Sequence, residues 1–303
     1  MNIFEIFGKG LKIYLSNNFS VLTRQLLFPV LGQPLGIIMI FTPLYFYINY
    51  VRANADSIDP LVSLGFIVLM IIPGFVVFLK AFWRLLIAMV SLNTMVGDIL
   101  DKGKVIEPSQ HNQKVATRKD DYVNLLLLLT LIFIVIFLAP QMFSSNESLH
   151  SVLILICFLG LPVILNYLTL VYVVFGFEKT SPSQTIKRST SLICKNFWRT
   201  AFLNVLLIVI TGAIAPMAIQ AIFEAMSLTN LLLMPVNAFF SLIDIPVQTI
   251  TVSGMNVNIA EVLAETSKVV VNLTISFIVS SFMLPLSCAC YTLLYRDILS
   301  KRA

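Results

Sequence analysis

Apolar runs such as Leu125 to Ala139 and Val152 to Leu165 carry no charge at all and are bounded by polar or basic residues. Such runs leave little choice of fold. Buried in lipid, a backbone N–H or C=O has no water to bond, so the segment satisfies itself as a helix or as part of a closed barrel. These runs are too long and too evenly apolar for barrel strands, which alternate. The rest of the chain agrees, with 58% hydrophobic residues, 12% charged residues and a mean hydropathy of +0.93. Soluble domains carry about twice that share of charge. The expected fold class is therefore all-α: a polytopic transmembrane helical bundle forming a single membrane domain over residues 1–303.

Clear spans are predicted at Leu26–Tyr50, Tyr122–Phe143, Ser151–Phe177 and Arg199–Phe223. Two regions allow more than one count. Leu61–Gly97 reads as one long helix kinked at Pro73-Gly74 or as two short ones, and Leu228–Tyr295 contains a strong span, Lys268–Tyr295, beside a weaker run, Leu231–Ile250. Charge asymmetry decides between them. If each region crosses once, sixteen of the twenty Lys and Arg residues fall on one side, and only Arg52 and Lys268 fall on the other. Lys80 and Arg84 lie within a span. Any extra crossing scrambles that division, which is the positive-inside pattern in strong form. Six spans follow, with both termini cytoplasmic and Leu231–Ile250 as a re-entrant or interfacial segment on the outer face. The expected location is a bacterial inner membrane.

The N-terminus is not a cleaved leader by pattern, because Glu5 and Lys9 interrupt its apolar stretch. Its Ile3, Phe4, Phe7, Leu11, Tyr14 and Leu15 instead line one helical face opposite Glu5, Lys9 and Lys12, as in an interfacial amphipathic helix. Similar segments recur. Lys9–Phe19 echoes Lys187–Phe197, Pro108-Ser109-Gln110 recurs as Pro182-Ser183-Gln184, and Gly97-Asp98-Ile99-Leu100 recurs as Arg296-Asp297-Ile298-Leu299, with Phe177-Glu178 a weaker middle version. Three internal units result: 1–105, 106–179 and 180–303. In the third, Ser181, Pro182 and Gln184 have capping-box spacing and open a surface helix whose end, Trp198 and Arg199, is expected to anchor at headgroup depth.

Three of these segments carry a resemblance: Ile186–Thr200, ending Lys-Asn-Phe-Trp-Arg-Thr; the approach Phe175–Gln184; and the last span from Leu284-Pro285-Leu286 to Tyr295-Arg296-Asp297. They resemble the integral membrane domain attached to some bacterial glycerophosphodiester phosphodiesterases, and its stand-alone relatives of unknown function. In that family the last stretch ends Leu-Tyr-Tyr-Asp, and here Arg296 replaces the second tyrosine. The resemblance implies the membrane fold alone. The phosphodiesterase chemistry belongs to a separate soluble barrel of about 250 residues, for which this sequence has no segment.

Few residues point to chemistry. Lys80 and Arg84 are four apart in an apolar span, where a cation costs about 2.5–3.5 kcal/mol unless it is paired or faces water. With Glu224 and Asp244 as acidic partners they would form a polar site within the bundle, suited to an anion or lipid headgroup; otherwise they snorkel or form a structural ion pair. Asp98 and Asp297 read as helix-end acids that cap cytoplasmic termini or pair with Lys102 and Lys301. His111 and His150 are isolated, and the four cysteines lie in or beside apolar segments, so no metal site, disulfide or cofactor is expected. The net charge of +5 is spread beside the spans instead of gathered on one module, which argues against nucleic acid. The predicted function is non-enzymatic: a membrane scaffold or lipid-associated factor whose partners are the bilayer and its anionic cytoplasmic-leaflet lipids. The alternative is a small transporter or permease subunit with an anion path at Lys80 and Arg84.

Overall fold

A computed structural model describes residues 1–16, 19–53, 60–105, 107–144, 147–240, 249–252 and 255–301. The chain is an all-α transmembrane bundle, with one short hairpin, β1 (Thr249–Val252) and β2 (Met255–Asn258), paired antiparallel. A surface helix, α1 (Ile3–Tyr14), leads into the long α2 (Phe19–Ala53) and α3 (Pro60–Lys102). A second surface helix, α4 (Pro108–Ala116), precedes α5 (Lys119–Gln141), α6 (Glu147–Leu168) and the short α7 (Val171–Phe177). A third, α8 (Pro182–Cys194), precedes α9 (Phe197–Leu207), which runs through a π-helical turn, Ile208–Ile214, into α10 (Ala215–Ala225). The chain ends in α11 (Leu228–Phe240), α12 (Ile259–Phe282) and α13 (Leu284–Ser300).

Five helices are long and apolar enough to cross a bilayer, or six if α12 and α13, bent by 41° at their junction, count as one span. Pro285 follows the break and supplies no N–H to continue the ladder. The Met1 amino group lies 2.7 Å from Asp297 Oδ1 in the last turn of α13, so the two ends of the chain meet within one compact unit. The region Pro60–Lys102 is a single continuous helix, α3. The re-entrant expectation for Leu231–Ile250 divides: the first part is α11, too short to span, and residues 241–248 lie outside the described residues.

Contacts divide the chain into two compact units, and the long helices pass from one to the other. The first consists of Met1–Gln25, Leu86–Ile208 and Leu284–Ala303; the second of Leu26–Leu85 and Val209–Met283. In the second unit α2 and α3 cross on glycine. A Cβ at Gly36 would lie 2.7 Å from Phe78 N, and one at Gly74 would lie 2.8 Å from Ile40 N, so the two backbones touch. Lipid offers no hydrophobic drive for helix pairing, and close backbone approach at small residues substitutes for it. In the same unit Gln220 Nε2 bonds Asn272 O and Ser276 Oγ, while Ser280 Oγ bonds Thr211 O in the π-helical turn. That turn displaces carbonyls from their usual partners.

In the first unit α1 lies against α13 with Ile6, Gly10 and Tyr14 buried. Its apolar face was expected to lie on the membrane. Of that face Tyr14 is covered by protein and Ile3, Phe7 and Leu11 are half-buried, and a Cβ at Gly10 would lie 2.6 Å from Cys290 Sγ. Only Phe4 and Leu15 of the expected face are strongly exposed. On α8, likewise, Thr185, Ser189, Leu192 and Ile193 are buried, and Ser189 Oγ bonds Tyr167 O at 2.8 Å. The capping box at Ser181 and Gln184 is formed, with Pro182 at the first helical position.

Candidate functional site

The densest polar arrangement is built at the ends of α3, α7 and α13, all within the first unit. Each span-exit acid contacts the surface helix that comes next in the chain. Asp98 Oδ2, near the end of α3, is 3.1 Å from His111 Nε2 on α4. Glu178 Oε1, just past α7, is 3.2 Å from Arg188 Nε on α8 and accepts a hydrogen bond from Tyr295 Oη at 2.8 Å. Asp297, having no later helix, takes the start of α1 through the Met1 amino group. The order closes on itself, so each surface helix is tied down by the exit of the segment before it.

A second set of contacts runs in the same order from the span entries. Gln25 Nε2 donates to Pro108 O at 3.3 Å, at the first residue of α4. Arg118 Nη2 donates to Thr180 O at 2.8 Å, just ahead of α8, and Arg199 Nη2 donates to Met1 O at 2.7 Å, just ahead of α1. Arg118 also donates to the carbonyls of Phe175 and Glu178, and its guanidinium stacks 4.1 Å above the Phe175 ring. That fork is what a planar guanidinium can hold and a lysine cannot.

The residue before each exit acid completes the pattern. Gly97, Phe177 and Arg296 meet: the Phe177 ring fills the space a Cβ on Gly97 would occupy, 2.6 Å away. Arg296 Nη2 donates to Gly97 O at 3.2 Å, with its guanidinium 5.9 Å above Phe177. Arg296 also forks onto Asp101, at 2.6 and 2.8 Å.

The electrostatics are those of a tie. Asp297 Oδ2 sits 2.7 Å from Arg199 Nη1 and 3.3 Å from Lys301 Nζ, and Asp98 also meets Lys102 at 3.5 Å. The expected lysine partners are therefore present, though His111 is buried and Arg199 half-buried where the lysines are exposed. His111, isolated in the sequence, is only 3% exposed. Its Nε2 faces a carboxylate that can only accept, so Nε2 carries a proton, and Nδ1 lies 2.8 Å from the Thr94 hydroxyl. Burial holds this imidazole below its ordinary value of 6.5; Asp98 opposes that shift, while Lys114 and Lys102 add to it. A base lowered in the fold contributes its full stability above its unfolded pKa and loses it as the pH falls below about 6.5.

The residues singled out from sequence are placed differently. Arg199, expected as an interfacial anchor, turns inward to Asp297, while its neighbour Trp198 is 82% exposed. Lys80 and Arg84 both lie on the exposed surface of α3, and Arg84 stacks 4.9 Å above the Phe28 ring. Glu224 is exposed on α10, and Asp244 lies outside the described residues. Among the described residues no ion pair joins Lys80 or Arg84 to an acid, so the structure does not bring these four together. His111, Arg118, Glu178 and Tyr295 carry the polar arrangement instead. For Glu178 the signal was its alignment with Asp98 and Asp297 in the internal echo. Compared with protein-family models, curated proteins and solved structures, the chain matches none.

Proposed function

We propose that the protein is a non-enzymatic multi-pass membrane scaffold whose three surface helices associate with the anionic cytoplasmic leaflet of a bacterial inner membrane. One observation carries this reading. The exit acids Asp98, Glu178 and Asp297 have internal partners, while Lys12, Lys114, Lys187 and Lys195 on the surface helices stand exposed. The acids are neutralised inside and the lysines are presented outside, which leaves a basic face. Each such cation near an anionic surface is worth about 1 kcal/mol. The outward position of Lys80 and Arg84 counts against an anion path through the bundle, since a path needs its cations facing inward.

The test is amide exchange of the whole chain in nanodiscs. Lipid discs of phosphatidylglycerol with phosphatidylcholine should slow exchange in α4 and α8 about fivefold relative to phosphatidylcholine alone. Equal exchange in the two lipids would overturn the reading.

A further inference from the structure

Lys80 and Arg84 occupy a defined depth. From Pro60 to Leu79 the sequence has twenty residues and no charge, a length of about 30 Å as a helix, which is the full hydrocarbon thickness. Lys80 is the first charge after that run. Exposure along α3 changes at the same place. Leu69, Ile72, Phe75, Val76, Leu79 and Phe82 are all strongly exposed, whereas from Leu85 onward the helix is covered, with Ala88, Val90, Leu92, Met95 and Val96 buried. The neighbouring chain gives the same level independently. Tyr122 Oη donates to Leu86 O at 2.6 Å, and Tyr122 directly follows Lys119, Asp120 and Asp121, which belong outside hydrocarbon. The boundary therefore falls within about one helical turn of Arg84.

At that boundary two cations four residues apart share one face of α3. Arg84 is steadied over Phe28 of α2, and beside them the exposed Phe28, Leu31, Val76 and Leu79 present apolar surface. A bundle site for a soluble anion would turn these charges inward. Here a phosphate at headgroup level would meet both cations while its attached chains lie along the apolar residues below. We infer that Lys80 and Arg84 hold the headgroup phosphate of one anionic phospholipid on the outer surface of the α2–α3 hairpin. The inference rests on the lipid-associated reading above and gives it one named contact.

Native mass spectrometry of the full chain released from nanodiscs containing phosphatidylglycerol and phosphatidylcholine tests it. The wild-type chain should retain one phosphatidylglycerol, and Lys80→Gln with Arg84→Gln should lower its retention about thirtyfold. The charge-preserving pair K80R and R84K should keep it. Unchanged retention in the Gln pair would overturn the inference, as would equal retention of phosphatidylcholine or displacement by inorganic phosphate alone. Melting of the Gln pair in phosphatidylcholine discs shows that it is folded. Slowed exchange of α4 and α8 in anionic discs should persist in that variant, so this site and the broader scaffold reading fail separately.

Discussion

Replacing Asp297 with alanine is expected to remove about 3 kcal/mol of stability, the largest single loss at the polar end of the bundle. Its carboxylate is 7% exposed and holds the Met1 amino group and Arg199 at 2.7 Å each. Deleting one member of a buried ion pair costs more than the pair contributes, because the partner charge stays buried without compensation. Arg199 would be that partner, at 17% exposure. The consequence extends beyond one helix, since the same carboxylate ties α1 to α13 and α9. Cys288 and Cys290 are buried while Cys194 is exposed and Cys157 half-buried, so with the last two replaced by alanine a thiol-reactive dye reports the melting. Asp297→Leu combined with Arg199→Met should be milder than Asp297→Ala alone; an Ala variant that melts like wild type would show the tie to be ornamental.

The second large effect belongs to the crossing of α2 and α3. Gly74→Leu places a side chain where Ile40 N and Gly36 O lie 2.8 and 2.9 Å from the new Cβ. Both obstacles are backbone, so no rotamer change relieves them. The helices must separate, with a loss of about 3 kcal/mol, at the upper end of overpacking costs. Gly160→Ala is the matched control, because nothing lies within 4 Å of its Cβ position. Melting of the three chains in one detergent separates a packing effect from a general intolerance of glycine replacement. Equal melting of Gly74→Leu and Gly160→Ala would contradict the backbone contact.

Much of the architecture was legible because the bilayer imposes a length and a charge rule. The apolar runs of α5 and α6 identify themselves, and Ser181, Pro182 and Gln184 announce the start of α8 by spacing alone. The single crossing of α3 followed from charge asymmetry even though Pro73 lies inside it. The site was far less legible. In lipid, both the surface facing neighbours and the surface facing acyl chains are apolar, so periodicity does not tell which way Lys80 and Arg84 point. The amphipathic faces of α1 and α8 have the same ambiguity: an apolar stripe fits a leaflet or another helix, and here Tyr14 and Ile193 are buried while Phe4 and Leu15 stay exposed. His111 was read as isolated because Asp98, thirteen residues away, meets it only through the turn between α3 and α4.

The polar ties make the three surface helices and both termini one face, and labelling tests that most directly. In a chain with its four cysteines replaced by serine or alanine, Lys12, Lys114, Lys187 and Lys301 are each changed to cysteine, one at a time; all four positions are exposed. Sealed vesicles of a single orientation are then treated with a membrane-impermeant maleimide. All four cysteines should react from the same side and none from the other. Reaction of any one of them from the opposite side would contradict the closed arrangement.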